Sequence, residues 1–417
     1  MDRITRVRIK NVRAIECVDL QVSRPLTVLV GENGSGKSTI VECMEVLHKA
    51  AEANFMQQFY IVHRGMPGLL RKGATSLELG IVIEDDAGVL PRIDYSFALG
   101  PQAAGAVVLS EQLLVESEKD ASRPLEALRR TAARGEMFDQ KERKLVPVPT
   151  EAIRPEQLVV ASFGSLPPQK AFERLVEVLR GIEVHLDFDT RASWAARTYQ
   201  RPESLRAATT HFPATRLSLL GFNLANAWSE LRGREGAHWE HTIALVRLGL
   251  GDRVDSVVVT PDQGGGNIYV GLRFTDLAEP VLAANLSDGQ LSWLAFVALV
   301  RLNPSRSFLA VDEPELHMHP ALLGRVMALL SDLDGGAPVL ISTHSDRVLE
   351  LLADPAGSTR VCSLEGSKAI VSRIDAGELT GWMARFGDLG SLRASGYLQR
   401  VLVPEATSAP EQAEGDE

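Results

Sequence analysis

A glycine-rich loop between two apolar segments is the feature that most constrains this chain. Residues 31–38 read GENGSGKS, preceded by the run LTVLV and followed by the amphipathic segment TIVECMEVLHK. In a strand–loop–helix setting the glycines let backbone N–H groups surround a triphosphate, the lysine reaches its β- and γ-phosphates, and the serine hydroxyl binds Mg²⁺. The pattern predicts a nucleotide site formed by Gly31, Asn33, Gly34, Ser35, Gly36, Lys37, Ser38 and Thr39.

Length and composition indicate a globular protein with more than one lobe. A chain of 417 residues is too large for one simple core and predicts about two or three lobes. The most apolar stretch, LSWLAFVALVRL at 291–302, is shorter than the ~20 residues that span a membrane, so no membrane contact is expected. Cys17, Cys43 and Cys362 are far apart, which favours reduced thiols in the cytoplasm over disulfides or a zinc site.

The charge balance excludes a generally basic surface but not a local basic patch. Asp and Glu number 54 against 44 Lys and Arg, which gives a net charge of −10. Attraction of nucleic acid depends on how the cations are distributed. The best candidates for a DNA contact are Arg129, Arg130, Arg134, Lys141, Arg143 and Lys144. Acidic residues interleaved among them favour the alternative interpretation, the solvated face of helices.

Hydrophobic periodicity predicts a sheet assembled from both ends of the chain. Strands are predicted at 4–9, 18–22, 26–30, 77–83, 93–99, 254–260, 268–274, 307–311 and 338–342, and helices at 169–180, 238–248, 291–302 and 322–333. Alternation of strands and helices after residue 290 is typical of a mainly parallel sheet. We expect an α/β fold with a β-rich first lobe (1–100), a mostly helical inserted region (101–250), a second α/β lobe (251–402) and a disordered acidic tail (403–417).

Two adjacent carboxylates follow a strand in the second lobe. The apolar run Ser307–Val311 ends in Asp312 and Glu313, and parallel sheets present ligands at the carboxyl ends of their strands. Asp312 is positioned to hold Mg²⁺ and Glu313 to orient or deprotonate the attacking water. Taken alone, the pair is equally consistent with an exposed acidic turn in which Pro314 begins a helix.

Two further motifs belong beside this pair. Ser287, Asp288 and Gly289 precede the apolar helix at 291–302, where a serine is a good N-cap and also a ready anion site. His344 follows the predicted strand at 338–342, in the sequence ISTH at 341–344. A lone histidine is often structural, but at a strand end it can donate to a γ-phosphate.

In their order and spacing these motifs resemble ABC-type ATPases of the branch that contains the SMC, RecF and OLD-family heads. The likeness rests on VRIKNVR at 7–13, the phosphate loop, LSDGQ at 286–290, VDEPELHMHP at 311–320 and ISTHS at 341–345. It implies a P-loop NTPase head with a RecA-like parallel sheet, which sandwiches two ATP molecules and Mg²⁺ in a homodimer.

The resemblance also implies roles for individual residues. Lys37 and Ser38 of one subunit would face Ser287 and Gly289 of the other. Glu313 would be the catalytic carboxylate and His344 the switch histidine, and Arg13 matches a position that approaches the nucleotide.

The chain departs from the pattern at two places. Asp288 replaces the glycine of transporter signatures, and a carboxylate near a γ-phosphate must point away or meet a cation. No glutamine fits a Q-loop, since Gln57 and Gln58 follow the phosphate loop too closely and Gln169 does not align. Glu315, His317 and His319 could also form a metal site, although in this family that stretch belongs to the ATPase.

Missing features separate the subfamilies. The chain has no long heptad pattern for an SMC arm, and about 40 residues after position 375 are too few for the TOPRIM nuclease of OLD proteins. The nearest likeness is to compact RecF-like AAA ATPases of bacteria, which are linked to phage defence or DNA metabolism. We therefore expect an ATP-driven switch that acts with DNA or a separately encoded effector. A transporter ATPase subunit and a nuclease with an unrecognised site are the alternatives.

Overall fold

The fold is organised around two large sheets and one small sheet, seen in a computed structural model that describes residues 1–102, 105–116, 124–132, 134–139, 142–165, 169–191, 204–234, 236–262, 264–316 and 318–405. Lys141, His317 and the predicted tail beyond residue 405 lie outside the described residues. The strands are β1 Asp2–Val12, β2 Ile15–Gln21, β3 Leu26–Gly31, β4 Leu77–Asp85, β5 Ile93–Gln102, β6 Gly105–Val115, β7 Leu125–Thr131, β8 Arg134–Asp139, β9 Lys144–Pro147, β10 Ile182–His185, β11 Thr209–Thr210, β12 Val254–Pro261, β13 Asn267–Phe274, β14 Val281–Leu282, β15 Phe308–Asp312, β16 Val339–Thr343, β17 Thr359–Glu365, β18 Lys368–Ile374 and β19 Leu402–Pro404.

The helices cover the sheets, and five of those described overlap the predicted helical segments, while the others were not predicted. Their bounds are Lys37–Lys49, Phe55–His63, Met66–Leu69, Lys170–Arg180, Leu224–Arg232, Gly236–Leu250, Asp288–Leu302, Pro320–Ser331, Asp346–Glu350, Pro355–Ser358, Ala376–Phe386 and Leu389–Ala394.

The first sheet is antiparallel and reaches far into the region predicted to be mostly helical. Its eight strands run in the order β2-β1-β4-β5-β6-β7-β8-β9. The prediction is therefore wrong for residues 105–147, which form four strands, although helices do follow from residue 170. The reason is visible in β7, where Leu128 and Arg130 are buried while Arg129 and Thr131 are exposed. Inward-facing and outward-facing residues alternate with the two-residue period of a strand. Charged residues at both inward and outward positions make this alternation hard to recognise in the sequence.

The second sheet confirms assembly from both ends of the chain. Its order is β10-β15-β16-β3-β17-β18-β19, with β3 paired in parallel to both β16 and β17. The residues of β3, β15 and β16 are almost wholly buried, as expected of parallel strands covered on both faces. The carboxyl ends of these three strands therefore meet at one edge of the sheet.

The helix Asp288–Leu302 is buried along nearly its whole length. Every residue from Leu291 to Leu302 is buried, which explains why the segment is apolar on all sides. It packs against the helices Leu224–Arg232 and Gly236–Leu250, beside the small sheet formed by β11 to β14. In the part of the chain that the structure describes, no helix is long and apolar enough to cross a membrane.

Candidate functional site

Glycines shape the loop between β3 and the helix Lys37–Lys49. Gly34 and Gly36 have φ angles of 79° and 96°, a left-handed conformation that only glycine adopts easily. Gly31 is required for a different reason, since a Cβ there would lie 2.0 Å from the carbonyl oxygen of Cys362 on the neighbouring strand. The loop is thus fixed both by its own backbone and by β17.

Lys37 lies inside the loop. Its ammonium donates to the carbonyl oxygens of Gly31 and Glu32, each at 2.9 Å, and the residue is only 3% exposed. Burial lowers the pKa of Lys37. The buried Ser35 hydroxyl has no hydrogen-bond partner among the described residues. A phosphate group would supply acceptors for both side chains, so the loop fits a nucleotide triphosphate.

Ser38, which follows β3, meets Asp312 at the end of β15. The Ser38 hydroxyl donates to Oδ1 of Asp312 at 3.2 Å, and the Ser342 hydroxyl donates to the same oxygen. The three residues belong to segments at the ends of β3, β15 and β16. A serine hydroxyl beside a carboxylate is the oxygen donor set that Mg²⁺ prefers, so Ser38 and Asp312 could hold that ion.

Glu313 and His344 face each other beside this junction. Nε2 of His344 lies 3.2 Å from Oε1 of Glu313, and the Glu313 backbone N–H donates to the carbonyl of Ser342 at 2.9 Å. Glu313 has a φ angle of 49°, a conformation uncommon outside glycine that tends to occur at functional sites. Burial raises the pKa of Glu313, and the nearby His344 opposes that shift. A carboxylate with a raised pKa is suited to proton transfer.

Glu315 holds the loop that carries His344. Its Oε1 accepts from the Thr343 hydroxyl at 2.5 Å and from the His344 backbone N–H at 3.1 Å. The ring of His319 accepts from the Ala321 N–H at 3.2 Å and caps the helix Pro320–Ser331. Glu315 and His319, the two described residues of the three in the alternative metal site, thus have structural partners. The described ranges hold no group of three or more His, Cys, Asp or Glu suited to a metal.

The signature residues 286–290 lie at the start of the buried helix, with Leu286 buried and the other four at least partly exposed. Ser287 caps the helix through a reciprocal pair of hydrogen bonds with Gln290. Ser287 is exposed and Gly289 is half-buried. Asp288 meets a cation, as its charge required, because Nη2 of Arg206 lies 2.5 Å from its Oδ1.

Other predicted residues have varied environments. Arg13 pairs with Glu42 on the helix Lys37–Lys49 at 2.5 Å and donates to the carbonyl of Gly68, so its approach to nucleotide stays a prediction. Gln169 is buried and donates to the carbonyl of Phe138, which gives it a structural role. Asp187, just after β10, lines a small cavity together with Asp312 and Glu313. Asp187 could not be found from sequence because it belongs to none of the recognisable motifs.

The six candidate cations for a DNA contact do not form one surface. Arg130 is fully buried, donates to the carbonyls of Arg154 and Gln157, and lies 3.8 Å from Glu111. Its assignment to a DNA contact is wrong, because a buried guanidinium with these partners cannot reach a phosphate. Lys141 lies outside the described residues. The remaining four are exposed on strands or the turn between them, not on helices: Arg129, Arg134, Arg143 and Lys144.

Comparisons with known proteins agree with this architecture. The family described as "AAA domain, putative AbiEii toxin, Type IV TA system" matches residues 26–350. A solved SMC head bound to the C-winged helix domain of ScpA aligns over 91% of this chain and 99% of its own, at 13% identity and a TM-score of 0.51. A Pyrococcus furiosus Smc head with an extended coiled coil, bound to the C-terminal domain of ScpA, aligns over 92% and 99%, at 13% identity and a TM-score of 0.48. None of the curated protein sequences matches. The fold is that of an ABC-type head of the SMC-like branch.

Proposed function

This chain belongs to the AAA-domain family whose model matches residues 26–350, and we propose that it binds and hydrolyses ATP as a conformational switch. One observation supports the proposal above all. Ser38, Asp312, Glu313 and His344 come from segments up to about 300 residues apart and converge at the carboxyl ends of three neighbouring strands. A fold has no structural need for this set of groups beside a glycine loop.

The geometry supports a division of labour in hydrolysis. Lys37 and the loop N–H groups would bind the β- and γ-phosphates, with Ser38 and Asp312 holding the magnesium ion. The ion, when bound, neutralises charge that develops on the phosphate oxygens. Glu313 would accept a proton from the attacking water. His344, 3.2 Å from Glu313, would donate to the γ-phosphate. It would thereby couple the presence of this phosphate to the conformation of the loop held by Glu315.

We also propose that ATP closes a head-to-head homodimer. Ser287 and Gly289 lie at the surface, and within the described residues the hydrogen bonds of Ser287 stay inside its own helix. A helix N-terminus with an exposed serine is suited to an anion presented from outside. The anion would be the γ-phosphate bound to the loop of a second copy.

The client of the switch would be a separately encoded effector or DNA, in phage defence or DNA metabolism. The family description names a toxin–antitoxin system, and a similar SMC head is bound to a domain of ScpA, which supports a protein partner. Cys17, Cys43 and Cys362 are free thiols, which supports a reducing compartment such as the cytoplasm.

The direct test is ATP hydrolysis and oligomer size measured together, with and without DNA. Wild-type protein should hydrolyse Mg·ATP and shift from monomer toward dimer when ATP is added. The Lys37→Ala variant, tested at equal concentration, should do neither. Absence of both effects in folded wild-type protein would contradict the proposal.

A further inference from the structure

A buried arginine outside all of the predicted motifs contacts the backbone and Asp288 of the signature loop, residues 286–290. Arg206 follows β10 in sequence, precedes β11, and is only 7% exposed. Its Nη1 donates to the carbonyl oxygens of Ala283 at 3.2 Å and Leu286 at 2.5 Å, while Nη2 binds Asp288. Its Nε donates to the carbonyl of Thr190 at 2.7 Å. One side chain thus links the turn before the signature helix to the segment that follows β10.

The segment on the other side of Arg206 leads to the nucleotide site. Thr190 lies three residues after Asp187, which lines the cavity beside Asp312 and Glu313. A guanidinium carries five donors in a rigid planar fork, so it can hold two backbone segments and one carboxylate in fixed relative positions. A lysine, with a single flexible ammonium, could not satisfy all these acceptors.

Charge gives Arg206 a second effect on the signature loop. Asp288 is the first residue of the helix Asp288–Leu302, and its side chain is 51% exposed. An unpaired carboxylate there would repel a γ-phosphate approaching Ser287 and Gly289. The guanidinium 2.5 Å away compensates the negative charge of Asp288.

We propose that Arg206 is a positioning residue for the signature loop that carries Asp288. It enables this loop to bind the γ-phosphate of an ATP held by a second subunit. The inference rests on the proposed ATP-dependent dimer and adds to it the group that sets both the shape and the charge of the receiving surface. Arg206 touches neither nucleotide nor water in this role, and it acts through Asp288 and the carbonyls before it.

The same helix provides a matched control at its other end. Arg301 is 9% exposed and pairs with Asp334, whose side chain is 49% exposed, much as Arg206 pairs with Asp288. Arg301 also reaches the Thr242 hydroxyl, at 3.4 Å. Replacing Arg301 removes a buried arginine from an ion pair of similar exposure but leaves the signature loop intact.

The test uses the full chain carrying Glu313→Gln to prevent turnover. Dimer dissociation constants with Mg·ATP would be measured by sedimentation for the parent, R206M, D288N, R206M/D288N and R301M, with thermal melting as a check on folding. R206M should weaken the dimer by roughly tenfold or more, and adding D288N should recover part of that loss, because the repulsive charge is gone while the backbone carbonyls still lack their donor. R301M should stay within about twofold of the parent.

Hydrogen exchange of the nucleotide-free protein separates the inference from the dimer itself. The amides of Gly289 and Gln290 should exchange faster in R206M than in the parent, and not in R301M. Unchanged dimerisation in R206M would overturn the role of Arg206, and absence of any recovery in the double variant would overturn its compensation of the Asp288 charge. A parent that forms no dimer would overturn the proposed function, whereas faster exchange in R206M would still assign Arg206 the ordering of this loop.

Discussion

The two halves of the proposed nucleotide site are built in opposite ways. The phosphate-loop half is interconnected, since the hydroxyls of Ser38 and Ser342 both donate to one carboxylate oxygen of Asp312. The signature half is exposed, and its Ser287 bonds only to its own helix among the described residues. The first half can bind a nucleotide within one subunit. The second, in our proposal, binds the γ-phosphate of an ATP that a second copy holds.

Chemistry should depend on the interconnected half. Glu313→Gln should preserve ATP binding but reduce turnover on the order of 10²-fold or more, because an amide cannot accept the proton of the attacking water. Steady-state phosphate release and equilibrium binding of a fluorescent ATP analogue would measure the two effects separately. Turnover near the wild-type rate would mean that another group is the base.

Affinity should depend on the same half through a different residue. Lys37→Ala removes the ammonium that fills the loop, and we expect ATP affinity to fall by roughly tenfold or more. Ser287→Arg, in the other half, should leave binding to one subunit within about twofold. Equal losses in the two variants would erase the distinction between the halves.

The pH dependence of turnover should report on Glu313 and His344 together. The base must be ionised, so turnover should fall as pH drops through the raised pKa of Glu313. Because His344 opposes that rise, His344→Gln should increase the pKa of Glu313 further and move the acid limb to higher pH. A pH profile of kcat for both proteins would decide. A shift toward lower pH would contradict the assigned contact.

Much of the site could be predicted from sequence because its residues lie in contiguous motifs at strand ends. Arg130 and Arg206 could not, since their partners are distant in sequence: Glu111 for one, Asp288 for the other. The identity of an arginine in the sequence does not show whether its guanidinium is buried or solvated. Strands β7 to β9 were not predicted because the charged residues on their exposed faces were interpreted as the solvated face of helices.

The smallest predicted effect concerns the exposed cations of the first sheet. They would contact DNA at a surface that belongs to neither half of the nucleotide site. If about four phosphates are contacted, DNA affinity should fall with salt with a log–log slope near −3 to −4. Neutralising Arg129, Arg134, Arg143 and Lys144 should abolish the slope without altering basal ATP hydrolysis. Because Arg129 and Lys144 have acidic neighbours, Glu126 and Glu142, the slope should lie nearer −3 than −4. Absence of salt-sensitive binding by the ATP-bound dimer would favour a protein client.

Subunit complementation tests most directly whether the exposed half serves a second copy. With Mg·ATP and Glu313→Gln in every chain, Ser287→Arg alone and Lys37→Ala alone should each remain monomeric in light scattering. Mixed in equal amounts they should form heterodimers, because one composite site then pairs an intact phosphate loop with an intact signature. Tight ATP-dependent dimers of Ser287→Arg alone would contradict the account.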